Sequence, residues 1–237
     1  SIYGTYSEGF GMPDVGRVLR GVAEFDTDVD TLPNLVPLVT DNTEFGVEYT
    51  PDWGSMKVAW YQSSSDFGER LVTNADGIFD VNRDKTVVTG IEASIAGRPT
   101  DWLDISVVYS NLKGEFDSDG DGHVDSDLGA INVAPNRLNL SFDVNPDGKW
   151  SGRLQSFTYL DKTFRDANNA VTAQFDGYTV IDALAMTTVG STRLTFGVAN
   201  ILDKQYITYY GQAGNTRADR YFAGKGRTLT VRADFRF

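Results

Sequence analysis

The densest chemistry in the sequence is "EFDSDGDGHVDSDLG", residues 115–129. Asp117, Asp119 and Asp121 occupy positions one, three and five of a twelve-residue calcium loop. Gly122 falls at position six, where that loop turns sharply. His123 falls at seven, where only the backbone carbonyl is a ligand, and Asp125 falls at nine. Alternate carboxylates suit a hard cation that takes six to eight oxygens. Two features depart from the pattern: the twelfth position is Leu128 where a bidentate Glu is usual, which Asp127 fills imperfectly, and no helices flank the loop. Two readings stand: a structural Ca2+ in loop 115–128, and an acidic, solvated loop tip. Neither is catalytic. His123 is the only histidine, it is surrounded by aspartates, and no G-x-S-x-G elbow is present. "GKGRT" lacks the strand–loop–helix setting of a phosphate loop. No enzyme activity is expected, and no cofactor is required.

The totals narrow the classes further. With 41 % hydrophobic and 12 % aromatic residues the chain is not disordered. A net charge of −12 argues against nucleic acid, whose phosphates need a basic face. The absence of cysteine removes disulfides, thiolate catalysis and Cys-ligated zinc together. No run of roughly 18 apolar residues exists to form a transmembrane helix. The first residues, "SIYGTYSEGF", already read as a strand, so a portion of a longer product is expected.

What must position the acidic loop is a series of strands. Ten segments of about ten residues carry period-two patterning: roughly 1–10, 42–50, 55–64, 86–97, 102–112, 137–145, 150–160, 177–189, 192–201 and 228–237. In "RLNLSFDV", Leu138, Leu140, Phe142 and Val144 alternate with Asn139, Ser141 and Asp143. In the final segment, Leu229, Val231, Ala233, Phe235 and Phe237 alternate with Thr230, Arg232, Asp234 and Arg236. The faces of 55–64, 150–160 and 177–189 are not assignable from pattern alone.

The connections alternate strictly. "TPDWG", "RPTDW", "NPDGKW" and "VGS" are tight turns, whereas 11–41, 65–85, 113–136, 161–176 and 202–227 read as long loops. Short turns at one end and long loops at the other are the habit of an outer-membrane barrel, and about ten residues let a tilted strand cross hydrocarbon. Trp53, Trp102 and Trp150 each follow a Pro-containing short turn, which places three indoles at one height, as an interfacial girdle requires. The competing account is a soluble sandwich with tryptophans capping its core. On the barrel reading the 229–237 apolar face meets lipid, and Arg232, Asp234 and Arg236 look into a polar lumen.

At this point the residues resemble a known family. "FGVANILDKQYITYYGQAG…RYFAGKGRTLTVRADFRF" is similar to the C-terminal end of TonB-dependent outer-membrane receptors. That end has an Asn-Leu-Phe-Asp-Lys-x-Tyr-like stretch, a long loop, a Gly-Arg-Thr sequence and a last strand ending in Phe. Here these are Asn200, Ile201, Leu202, Asp203, Lys204 and Tyr206, then Gly226, Arg227, Thr228 and Phe237. "YGTYSEGFGMPDVGRVLRG" and "GIEASIAGRPTDWLDISVVYS" likewise resemble segments of siderophore receptors.

The resemblance implies an all-β fold in which residues 1–237 form the C-terminal arc, about ten antiparallel strands, of a 22-stranded transmembrane barrel in the bacterial outer membrane. The plug and N-terminal strands lie outside the chain. The cargo implied is a ferric siderophore, with cobalamin, another metal chelate or a glycan as alternatives, and a soluble calcium-binding β-sandwich as the alternative of another class. The implied partners are TonB acting through the plug, the N-terminal part of the receptor that closes the barrel, and outer-membrane lipid. Anionic, partly aromatic chelates suit arginines and aromatic rings. The candidates are Arg17 and Arg20 in the first loop, with Tyr209, Tyr210, Arg217, Arg220 and Tyr221 in the last.

Overall fold

The computed structural model describes residues 1–12, 15–16, 26, 28, 37–73, 79–146, 148–213 and 221–235. Arg17, Arg20, Arg217, Arg220, Arg236 and Phe237, expected on the ligand or terminal-strand faces, lie outside the described residues. The described residues contain ten long strands: β1 (Ile2–Gly11), β2 (Leu38–Tyr49), β3 (Gly54–Thr73), β4 (Phe79–Thr100), β5 (Leu103–Phe116), β7 (Arg137–Val144), β8 (Trp150–Tyr159), β11 (Tyr178–Val189), β12 (Thr192–Ala199) and β13 (Thr228–Phe235). Three short ones, β6 (Ser126–Asp127), β9 (Lys162–Arg165) and β10 (Val171–Phe175), lie in the connections. So does a four-residue helix, α1 (Tyr209–Gln212).

The long strands follow one another as an antiparallel meander, each pairing with the next in sequence among them. They form a single sheet, and no second layer packs against it among the described residues, which overturns the soluble-sandwich alternative. β9 and β10 make a separate two-stranded sheet. The expected tight turns after β2, β4 and β11 are present, and the one after β7 includes Asp147, which lies outside the described residues. At the first, the Gly54 N–H donates to Pro51 O at 2.9 Å. In "VGS", Gly190 adopts φ 61°, a conformation that a side chain disfavours.

One expectation is corrected. Residues 65–85 are mostly hairpin, because β3 and β4 remain paired from Gly68↔Asp84 to Thr73↔Phe79 beyond a bulge between Ser65 and Gly68. In this stretch neither face needs to be apolar, so the chain keeps its ladder and loses the alternation that reveals it.

Register assigns the faces. Directly opposed residues share a face. One row runs Ile105–Phe142–Leu154–Ala183–Val198–Leu229 across β5, β7, β8, β11, β12 and β13. A second runs Val47–Val58–Ala93–Tyr109–Leu138 across β2 to β7. Several of their large members are exposed, Phe142 39 %, Leu154 46 %, Val58 52 % and Leu229 73 % among them, and Ile105, Tyr109, Leu138 and Val198 are half-buried. The opposite face carries Asp104–Asp143–Arg153–Leu184–Gly197–Thr230 as one row and Glu92–Ser110–Arg137–Tyr159–Tyr178 as another. These rows settle β8 and β11, whose patterns left both faces open: Leu154 lies on the apolar face, and Gln155 and Asp182 on the polar one.

A curved wall has no interior of its own. Among the described residues, the largest fully buried side chains are Phe164 and Phe175, at 1 % and 0 % exposed, on β9 and β10. Leu128, Ala130 and Val133, in the β6–β7 connection, are buried as well. The core of this chain sits in its long connections.

Candidate functional site

The polar face carries ion pairs, some crossing between strands and one along a strand. Arg98 donates to both carboxylate oxygens of Asp104, at 2.8 and 2.9 Å, across β4 and β5. Arg153 does the same to Asp143, at 2.6 and 3.1 Å, across β7 and β8. Arg232 holds Asp234 along β13 at 2.8 Å. Farther from the tight turns the face becomes tyrosine-rich. Tyr3 donates to Glu44 at 2.5 Å, and its ring covers Gly46, where an added Cβ would fall 2.3 Å from a ring carbon. Tyr61 covers Gly90 in the same way. These glycines let the rings lie flat against the wall.

Beyond the ends of the strands, three connections converge. The first begins with the acidic loop. Asp117 is 7 % exposed. Its carboxylate accepts the N–H groups of Gly120 and Gly122, both at 2.7 Å, and of Asp119 at 3.3 Å. Burial opposes ionisation of Asp117, but the backbone donors outweigh it and hold its pKa below the usual carboxylate range. Asp117, Asp119 and Asp121 bring one carboxylate oxygen each within 4.8 Å of one another. The side chains of the other two expected calcium positions make their own contacts. Asp125 accepts the Ser118 N–H and hydroxyl, at 3.1 and 3.0 Å, and the His123 ring is exposed beside Asp121.

The second connection, the β9–β10 hairpin, docks on the first. Lys162 donates to Leu112 O at 2.6 Å and Ala134 O at 3.0 Å, and the Arg165 N–H donates to Asp127 at 2.8 Å. Burial brings the Lys162 pKa down to about 8, with nearby Asp127 opposing the shift. The third connection docks on both. Tyr209 packs edge-on against Phe175 with ring centres 4.9 Å apart, and its hydroxyl donates to Val133 O at 2.5 Å. Gln212 exchanges two hydrogen bonds with the Asp176 backbone, at 3.0 and 3.1 Å. Burial pushes the Tyr209 pKa up, so its hydroxyl stays a donor.

The base of the third connection explains the residues that carry the family resemblance. Asn200 is 2 % exposed with φ 51°. Its side chain accepts the Lys204 N–H at 2.8 Å and donates to Lys204 O and Lys225 O, both at 3.0 Å. Asp203, at φ 51°, accepts the Arg227 N–H at 2.8 Å. Tyr206 lays its ring over Gly224. The "NILDKQY" stretch therefore staples the two ends of the last loop to each other.

Of the tyrosines expected to meet a ligand, Tyr209 is committed to this packing, whereas Tyr210 and Tyr221 are 47 % and 58 % exposed. Lys162, Asn132, Asn136 and Gln212 carry no signal in the sequence. Each bonds backbone groups of a distant segment, and no spacing rule announces such a contact.

Comparison with known proteins identifies this architecture. The family described as "TonB dependent receptor-like, beta-barrel" matches residues 1–201. The chain belongs to that family. It is 27 % identical over 244 residues to the ferric aerobactin receptor of Escherichia coli, covering 94 % of this chain and 32 % of the relative. It is 23 % identical over 248 residues to the rhizobactin receptor of Rhizobium meliloti (strain 1021), covering 97 % and 32 %. The chain thus spans about a third of the length of these curated relatives. Among solved structures, the copper transporter OprC superposes with a TM-score of 0.77 at 16 % identity, over 100 % of this chain and 37 % of that one. The unliganded ferric citrate transporter FecA gives 0.69 at 20 % identity, over 100 % and 36 %. At these identities the structures establish the fold: the sheet is one arc of a receptor barrel.

Membership gives the two faces their solvents. This receptor wall lies in the bacterial outer membrane, with the apolar rows toward lipid and the ion-paired rows toward the lumen. Trp53, Trp102 and Trp150 are 47 %, 46 % and 44 % exposed beside three successive tight turns, where a girdle meets the interface. The converging connections stand at the opposite, outer end. The family is one of receptors rather than enzymes.

Proposed function

We propose that the chain is the C-terminal arc of a receptor that binds a ferric siderophore and imports it with energy drawn from TonB through a plug. The observation that carries this reading is similarity along nearly the whole chain to two receptors whose names specify iron-chelate cargo or a related ligand, ferric aerobactin and rhizobactin. The outer connections and upper lumen bind the chelate, with Tyr210 and Tyr221 available as exposed rings and Arg17, Arg20, Arg217 and Arg220 as the cationic partners. The wall supplies selectivity and anchorage, and the remaining strands of the receptor pair with the outer edges of β1 and β13, since unpaired backbone in hydrocarbon costs several kcal/mol per group.

The test is growth of an iron-starved strain lacking its own siderophore receptors, carrying the full-length gene and supplied with a panel of iron chelates. Rescue by a siderophore, lost when TonB is deleted, is expected. Rescue by none of them, or rescue that persists without TonB, refutes the proposal.

We also propose that Asp117, Asp119 and Asp121 hold a structural Ca2+, on the support of their proximity and the Gly122 turn. Calorimetric titration of the full-length receptor with Ca2+ should show binding that Asp119→Asn removes. An isotherm unchanged by that substitution would refute it.

A further inference from the structure

We propose that the three outer connections, 117–136, 161–176 and 206–213, open and close as one body, and that Tyr209 and Gln212 lock it. The inference rests on the reading of the outer end as the mouth of a receptor and specifies how that mouth is organised.

The contacts form a closed triangle. The first connection binds the second through Lys162 to Ala134 O and through Arg165 N–H to Asp127. The second binds the third through Gln212 and Asp176 and through the Phe175–Tyr209 ring contact. The third binds the first through Tyr209 and Val133 O. Phe164, Phe175, Val133 and Leu128 fill the space enclosed, all under 5 % exposed. Loops that gate independently expose their own surfaces, whereas a shared core makes local opening cooperative. A fourth tie reaches the β3–β4 hairpin, where the Asn132 side chain accepts the Leu71 N–H at 2.9 Å and donates to Leu71 O at 3.0 Å. It supplies the pair of bonds that a neighbouring strand would make. Tyr209 and Gln212 are therefore positioning residues: they fix the segment that presents exposed Tyr210.

The experiment measures amide hydrogen exchange in the full-length receptor in outer-membrane vesicles, without any chelate. Replacing Tyr209→Phe and Gln212→Leu together should raise exchange by about tenfold in 126–134, 162–176 and 206–213 alike, since the variant removes the bonds to Val133 O and Asp176 that join the three segments, and the bond to Ile207 O. Exchange in β7 and β8 should not change. A rise confined to 206–213, or none anywhere, overturns the proposal. Should the variant fail to insert, the wild type decides: under rising denaturant the three segments must share one opening free energy, and three separate values overturn it. Because no cargo is present, this result is independent of the growth test.

Discussion

Two adjacent residues of β8 test the assignment on which the receptor reading depends. Leu154 lies on the apolar row between Phe142 and Ala183, and Gln155 lies on the polar row between Ser141 and Asp182. Trp150 marks the girdle four residues earlier, so Leu154 stands about 13 Å along the strand from it. At a tilt of about 40° this is roughly 10 Å along the membrane normal, near the middle of an apolar band about 25 Å tall. Leu154→Arg should therefore cost about 2–4 kcal/mol, the usual penalty for an arginine facing lipid at the midplane. Gln155→Arg should cost about 0–1 kcal/mol, because the new cation enters the lumen beside Asp182 and gains a carboxylate partner. The assay is denaturant unfolding of the full-length receptor in lipid vesicles, following tryptophan fluorescence, with the midpoint and slope compared between variants. Equal penalties, or a larger one at Gln155, would refute the assignment of faces.

Three further outcomes follow from the geometry. Gly46→Val should destabilise the wall by about 1–3 kcal/mol, since its side chain occupies the place of the Tyr3 ring and breaks the bond to Glu44; unfolding midpoints measure it. Asn200→Ala should cost about 2–3 kcal/mol from three lost hydrogen bonds and a left-handed φ that Ala disfavours, and it should raise protease cleavage within 202–227 of the intact receptor. Lys162 binds fewer protons when buried than when exposed, so its charge penalises docking of the β9–β10 hairpin below about pH 8, and the penalty fades as pH rises toward 10.5. Discounted for partial exposure, this amounts to about 1–2 kcal/mol. Hydrogen exchange in 162–165, corrected for its intrinsic pH dependence, should slow relative to neutral pH, and Lys162→Met should remove the effect.

The wall was legible because lipid imposes a pattern on it. Where one face must be apolar and the other borders a lumen, as in "RLNLSFDV", each residue's side follows from its parity, and the structure keeps that parity across β7. Legibility failed in two ways. In β11, Val180, Leu184 and Met186 put apolar residues on the polar face; Leu184 faces Gly197, where a missing side chain leaves it room, so alternation fades although the strand persists. In 65–85 the ladder continues past the membrane, where hydrocarbon no longer selects residues, and strand and loop then read alike. Tryptophan after a tight turn survived both problems, because its position depends on the interface rather than on periodicity.

The outer end was legible only where chemistry is local. Asp117 to Gly122 announce their turn because carboxylates at every second position bond the N–H groups two to five residues ahead. The joints that hold the connections together announce nothing. Tyr209 and Val133 are separated by 76 residues, and Leu71 and Asn132 by 61. Tyr209 was expected at a ligand for the same reason that it serves as a joint: a ring with a hydroxyl at its edge packs and donates at once. In this structure Phe175 and the Val133 carbonyl engage it. Selection on these connections should therefore act on two sets of residues with different signatures. Joints such as Tyr209, Phe175 and Gln212 should tolerate little change, whereas Tyr210 and Tyr221, both exposed, should tolerate more.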